Sequence, residues 1–151
     1  MLKSVSLSEY VRHRNGVALG APNSLRNMLH RSLGARSFAA FWQYWNPIWG
    51  YYLAKFIYSP LRKVLPAAVA LVATFVLSGA LHDLAASLVM RTTVFVCTPW
   101  FLLLGIGVVI GRSLEMDLSR YAGVVRAAAN ILYLAGALVL SLVTISSLGD
   151  G

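Results

Sequence analysis

Hydrophobic and polar positions divide the chain unevenly. The first 36 residues are polar and basic, with apolar positions only at intervals, whereas long apolar runs dominate from residue 64 onward. A membrane-spanning helix needs about 20 largely apolar residues. Three runs reach that length: 64–90, interrupted by His82 and Asp83; 92–111; and 127–148. Between the polar start and the first run lies a segment of another kind, 38–63, which holds ten of the chain's seventeen aromatic residues among polar ones. Trp and Tyr gather at headgroup depth, so this segment is expected to be interfacial or re-entrant. Pro47 and Pro60 are expected to bound its helical parts.

The polar start carries its own helix signals. Ser6-Leu7-Ser8-Glu9 fits the S-x-x-E capping box. A second helix is expected over 24–33, after Pro22 and Asn23, with Gly34 to end it. Leu25, Met28, Leu29 and Leu33 share one side of it, and Arg26, Asn27, His30 and Arg31 the other. Such a helix either lies on a membrane surface or packs against protein. The expected organisation is a basic interfacial region, 1–36, and a membrane-embedded core, 37–151. The fold class is all-α integral membrane, with about three transmembrane helices, the aromatic interfacial or re-entrant segment and N-terminal amphipathic helices.

Composition sharpens this picture. Hydrophobic residues make up 58% of the chain and charged ones 12%, with mean hydropathy +0.70; a soluble domain carries about 25% charged residues. The net charge of +8 then marks a cytoplasmic face and contact with anionic lipid, not nucleic acid. Nine Lys or Arg precede the first run, Arg91 alone follows it, Arg112, Arg120 and Arg126 follow the second, and none follows the third. The positive-inside rule therefore places the N-terminus in the cytoplasm and the C-terminus outside. No secretory signal opens the chain, and a multi-pass protein of the cell inner membrane is expected. The lone cysteine, Cys97, is expected to act as a small apolar residue. His13, His30, His82 and Cys97 are scattered without ligand spacing, so no metal site is expected. Gly107 and Gly111 form a small-xxx-small pair suited to close helix packing.

Candidate chemistry centres on "ATFVLSGALHDLAAS". Ionisable residues inside a spanning helix cost around 2.5–3.5 kcal/mol on insertion scales and usually face a cavity or a partner. On a helix, Ser78 and Gly79 precede His82 by four and three residues, which leaves room beside the imidazole for a ligand or another helix. Asp83 points a third of a turn away, toward Ser87. A structural hydrogen bond for His82 and a weak Ser78–His82 pair both remain open at this point.

These residues also resemble a known family. Phe41, Trp42, Trp45 and Asn46, then Tyr58, Pro60 and Leu61, then Ser78, Gly79 and His82 are similar, in order, to three elements of the membrane-bound O-acyltransferases, the wax-synthase-like branch in particular. The resemblance covers about residues 37–84 and the C-terminal core of the family only. It implies acyl transfer from a thioester, acyl-CoA as co-substrate with no bound cofactor, to an alcohol acceptor. His82 would be the general base and Asn46 would orient the reactants. Trp42, Trp45 and Tyr58 would wall the tunnel beside Ser78, and Asp83 would line the cavity or pack a helix. Arg62 and Lys63, with Lys55 and Arg36, would either hold the phosphates of coenzyme A or serve as positive-inside anchors. Family members are longer, which implies a homo-oligomer, a partner subunit or a truncated member. The residues leave a second reading open: a small non-catalytic membrane protein that binds lipid or a partner through the same cleft.

Overall fold

A computed structural model describes residues 5–149, with side chains to residue 147. The described residues are all-helical: α1 (Leu7–Asn15), α2 (Ser24–Leu33), α3 (Phe38–Tyr44), α4 (Pro47–Leu53), α5 (Ser59–Leu61), α6 (Ala67–Met90), α7 (Cys97–Ser113) and α8 (Gly123–Gly149), with a π-helical turn over Ala54–Tyr58 between α4 and α5. Lys3, one of the nine early basic residues, lies outside them. The capping box forms as the sequence predicts: Ser6 Oγ accepts from the Glu9 N–H at 3.2 Å and Glu9 Oε2 accepts from the Ser6 N–H at 3.0 Å.

Helices α6 and α8 are long and apolar enough to cross a membrane; α7 is apolar and shorter, at 17 residues. It starts five residues later than the apolar run at 92. Arg91 turns left-handed, at φ +52°, and the Val94 N–H donates to Ser87 Oγ at 2.9 Å, so residues 92–96 cross over to α7 outside helical geometry.

The two long helices are patterned inversely to a helix in water. The buried residues of α6 are Ala70, Thr74, Ser78, Gly79 and Asp83, while Leu84, Leu88 and Val89 stand 56%, 71% and 84% exposed. On α8, Asn130 and Ser141 are buried while Leu132 and Val139 are exposed. Small and polar residues face inward and large apolar ones outward, a pattern also found where helices pack in lipid.

Glycines set the helix spacing. A Cβ on Gly79 would stand 2.6 Å from the Cys97 carbonyl oxygen, and one on Gly107 2.6 Å from the Tyr133 ring. Gly79 thus admits the start of α7 beside His82, and Gly107 admits α8; the room beside the imidazole foreseen in the sequence is filled in part by a helix. Gly136 has open space around it. Gly79→Ala is therefore expected to destabilise the protein by about 1–3 kcal/mol through overpacking, and Gly136→Ala to stabilise it by about 0.5–1 kcal/mol through helix propensity. Unfolding midpoints of the two variants in detergent check this pair.

Helices α3 and α4 form a hairpin along α6 and α7. Phe38 stacks on Tyr133 at 4.1 Å beside Gly111, and Trp42 meets Phe75 edge-on at 5.1 Å. The chain turns at Asn46, whose φ of +39° is a left-handed conformation that Asn adopts more readily than other side chains. Pro47 then opens α4, where the N–H it lacks would have no partner. Trp49 meets Ser78, each about a dozen residues from the connection that leads from α5 to α6, so the returning arm and the start of α6 run antiparallel at matched length. Pro60 lies one residue before the end of α5. The π-helical turn places the Ser59 N–H on the Ala54 carbonyl, and a widened turn relieves the clash a proline ring makes with the carbonyl four residues before it.

The first 36 residues pack onto this core. Arg14 Nη1 donates to Gln43 Oε1 at 2.7 Å, and buried Asn130 donates to the carbonyls of Leu33 and Ala35 at 2.9 and 3.1 Å. On α2 the polar flank meets protein: Asn27 Nδ2 donates to the Asn15 carbonyl, and Arg31 lies over the Tyr44 ring. Leu25 and Leu29 of its apolar side stand exposed.

Candidate functional site

A cavity of about 320 Å³ lies between the α3–α4 hairpin, α1 and the α6–α7 pair. It brings together residues distant in sequence, with Asn46, Ser78 and His82 on its wall beside Trp42, Trp45 and Tyr58. All six had been singled out from the sequence.

His82 reaches the cavity because α6 presents it one turn beyond Ser78. Its Nδ1 lies 2.6 Å from the Ser78 carbonyl oxygen. A carbonyl only accepts, so Nδ1 carries a proton, and in the neutral imidazole Nε2 is the nitrogen with the free lone pair. The imidazole stands edge-on to Trp49 at 5.8 Å and tilted against Phe101 at 5.3 Å, which fixes the ring plane from two sides.

The Ser78 hydroxyl has a different partner from any the sequence offered. It accepts from Trp49 Nε1 at 2.9 Å, bonding neither its own helix nor the imidazole. Ser78 therefore serves with two oxygens: the carbonyl orients His82, and the hydroxyl anchors Trp49. This geometry replaces the Ser78–His82 nucleophile pair left open by the sequence.

Asn46 combines a structural and an available function. Its Oδ1 accepts from the Trp49 N–H at 3.2 Å and caps α4. Its amide nitrogen is the group left to donate into the cavity it lines. Trp42 Nε1 is engaged with the Tyr133 hydroxyl at 3.2 Å, and Trp49 Nε1 with Ser78. The indole N–H groups of Trp42 and Trp49 are thus spent on holding the wall. Trp42, Phe75 and Phe101 pack on one another with ring centroids 5.1 to 6.4 Å apart.

Three expected substrate contacts fall elsewhere. Asp83 is buried and turned away from the cavity. Its Oδ1 accepts from the N–H groups of Val96 and Cys97 at 3.0 and 2.8 Å, and its Oδ2 from the Thr98 N–H and hydroxyl at 2.7 and 2.6 Å. This is a carboxylate filling the orphan donors at the start of α7, so Asp83 packs a helix and does not line the site. Cys97 belongs to the same cap and is half-buried. Arg62 is exposed and donates to the Leu65 carbonyl at 2.6 Å, and Lys63 is exposed as well; neither lines the cavity. Lys55 donates to the Tyr51 hydroxyl at 3.3 Å. Arg36 borders a separate hollow of about 240 Å³ with Arg112, Glu115 and Asp117.

The basic residues that do line the cavity are Arg14 and Arg112, which the sequence reading passed over along with Trp49, Phe75 and Phe101. Phe75 lies two turns before His82 on the same helix face, and Trp49 lies one turn after Asn46, so helical spacing held both signals. Nothing in the local sequence ties Arg14 to this site. Among the described residues, no three His, Cys, Asp or Glu side chains cluster to hold a metal.

The chain matches no family model, no curated protein and no solved structure.

Proposed function

We propose that this protein is a multi-pass inner-membrane O-acyltransferase that moves an acyl group from a thioester donor, acyl-CoA, to a hydroxyl acceptor. The observation that carries the reading is His82, an imidazole with Nδ1–H tied to a carbonyl and Nε2 left basic, in an aromatic-walled cavity shared with Asn46. It is strengthened by the resemblance of residues 37–84 to membrane-bound O-acyltransferases.

In this mechanism Nε2 takes the acceptor's hydroxyl proton as the oxygen attacks the thioester carbonyl. The Asn46 amide N–H donates to the developing oxyanion. Collapse of the tetrahedral intermediate breaks the carbon–sulfur bond, and the imidazolium returns its proton to the departing thiolate. A positioned base contributes about 10²–10⁴-fold. The aromatic-rich segment then has two tasks: rings at the interface, and a rigid wall beside the histidine.

The membrane placement is supported by the inverse patterning of α6 and α8. Helix α7 serves as the third, shorter span, and the α3–α4 hairpin dips between them. The Leu118 N–H donates to the Arg36 carbonyl at 2.8 Å, which joins two of the basic segments on one side, as the positive-inside rule requires. A reporter inserted near Leu118 is expected to read cytoplasmic, and one fused after Gly151, outside the described residues, to read external. The opposite pattern would overturn the topology.

The activity is tested by incubating protein in nanodiscs with acyl-CoA and a panel of alcohols, measuring free thiol and ester together. Thiol and ester in equal amounts support the reading. Background levels with every alcohol would overturn it and favour a non-catalytic lipid-binding or partner-binding role. Asn46→Asp keeps an oxygen for the α4 cap and removes the amide donor. It is expected to lower turnover by about 10²-fold with the unfolding midpoint little changed.

A further inference from the structure

The cavity extends well beyond the histidine. Phe101, against the imidazole, and Arg112 lie eleven positions apart on α7, about 16 Å of helix at 1.5 Å per residue. On α6, Leu71 lies the same eleven positions before His82 and also borders the cavity. The two helices run antiparallel, with Gly79 against Cys97 and Gly105 against Val72 and Phe75. The slot therefore has a histidine end and, about 16 Å away along α7, an end bordered by Arg112. Arg14 enters from α1, its guanidinium held by Gln43 Oε1 at 2.7 Å and 5.3 Å from the Tyr10 ring centroid. Between the ends the lining is mainly apolar, including Leu71, Phe75 and Val108.

Neither arginine has a task in the proton transfer proposed above. Arginine presents a planar fork of donors that matches phosphate oxygens, and a guanidinium at a mainly apolar cavity wall favours an anion. We infer that Arg14 and Arg112, both on the wall of this cavity, are the anion-binding residues for a phosphate-bearing ligand whose reacting group reaches His82. This deepens the acyltransferase reading by assigning the donor's phosphate end to these two residues in place of Arg62 and Lys63. It depends on this cavity being the ligand site but not on turnover there. The same chemistry can come from a soluble phosphate ester or from a phospholipid headgroup.

The test is binding, read by thermophoresis on protein in nanodiscs of neutral lipid. The probes are coenzyme A, pantetheine (which lacks phosphate), inorganic phosphate, and coenzyme A repeated in nanodiscs that contain an anionic phospholipid. Wild-type protein is expected to bind coenzyme A at least about tenfold more tightly than pantetheine. Arg112→Gln and Arg14→Gln are each expected to weaken coenzyme A about tenfold, as loss of a charge-assisted contact does, and to leave pantetheine unchanged. Arg112 is exposed, so its variant reports on binding even if Arg14→Gln disturbs the Gln43 contact. Arg62→Gln with Lys63→Gln is expected to have no effect. Competition by anionic lipid that disappears in the Arg112 variant would identify a headgroup as the occupant of the same subsite. Equal coenzyme A affinity in wild type and both arginine variants would overturn the inference, as would pantetheine binding as tightly as coenzyme A or loss of binding only in the Arg62/Lys63 variant. If phosphate-dependent binding holds and no ester forms, the subsite stands and the acyltransferase reading fails.

Discussion

His82→Ala is expected to lower ester formation by about 10²–10⁴-fold while the protein stays folded. The separation follows from the contacts. The imidazole donates one hydrogen bond, to the carbonyl of Ser78 within its own helix, so its removal orphans no donor elsewhere. A lost general base acts in the transition state and is read as a fall in kcat, with KM nearly constant. His82→Gln is expected to be as inactive as His82→Ala, because an amide can occupy the space but cannot take the proton. Ser78→Ala provides the contrast. It leaves the orienting carbonyl in place and deprives Trp49 Nε1 of its acceptor, a loss of about 1–3 kcal/mol where the indole is shielded from water. Stability should fall and turnover should drop by much less than in the histidine variants. Turnover by His82→Ala at the wild-type rate would remove the proposed base.

Asp83→Ala is expected to be the most destabilising single change, at roughly 3–5 kcal/mol. Its two oxygens accept three backbone N–H groups and one hydroxyl, and each orphaned donor in a shielded place costs about 1–3 kcal/mol before relaxation. Asp83→Asn keeps one acceptor oxygen and is expected to fall between alanine and wild type. Unfolding in mixed detergent, followed by helical signal, checks the order. An Asp83→Ala protein as stable as wild type would mean that the α7 start is held by packing alone. Coenzyme A affinity in the asparagine variant should stay near wild type, since Asp83 does not line the cavity.

Sequence pattern carried the helices well where a local signal existed. The capping box at Ser6, the 24–33 helix and the long apolar helices α6 and α8 were all legible, because periodicity and end signals are properties of neighbouring residues. The start of α7 was not. Thr92 and Thr93 lead into Val94, Phe95 and Val96, and Pro99 hints at a first helical turn, but it is the demand of Asp83 for donors that shows the helix opening at Cys97. Pro60 lies one residue before the end of α5, close to the boundary expected of it, and the π-helical turn leads the chain up to it. At the site, Asn46 and His82 line one cavity. Arg62 and Lys63 are adjacent to a motif in sequence but lie outside the cavity. Arg14 arrives from a helix about thirty residues earlier, and only packing brings it there.

The carboxylate between α6 and α7 also bears on biogenesis. Emerging alone into a bilayer, the first long helix would carry an unsatisfied acid, at around 2.5–3.5 kcal/mol on insertion scales. The donors that satisfy it belong to the next segment synthesised. In the membrane placement proposed above, the two helices would therefore enter the lipid as one unit, since the earlier one alone lacks the donors its acid needs.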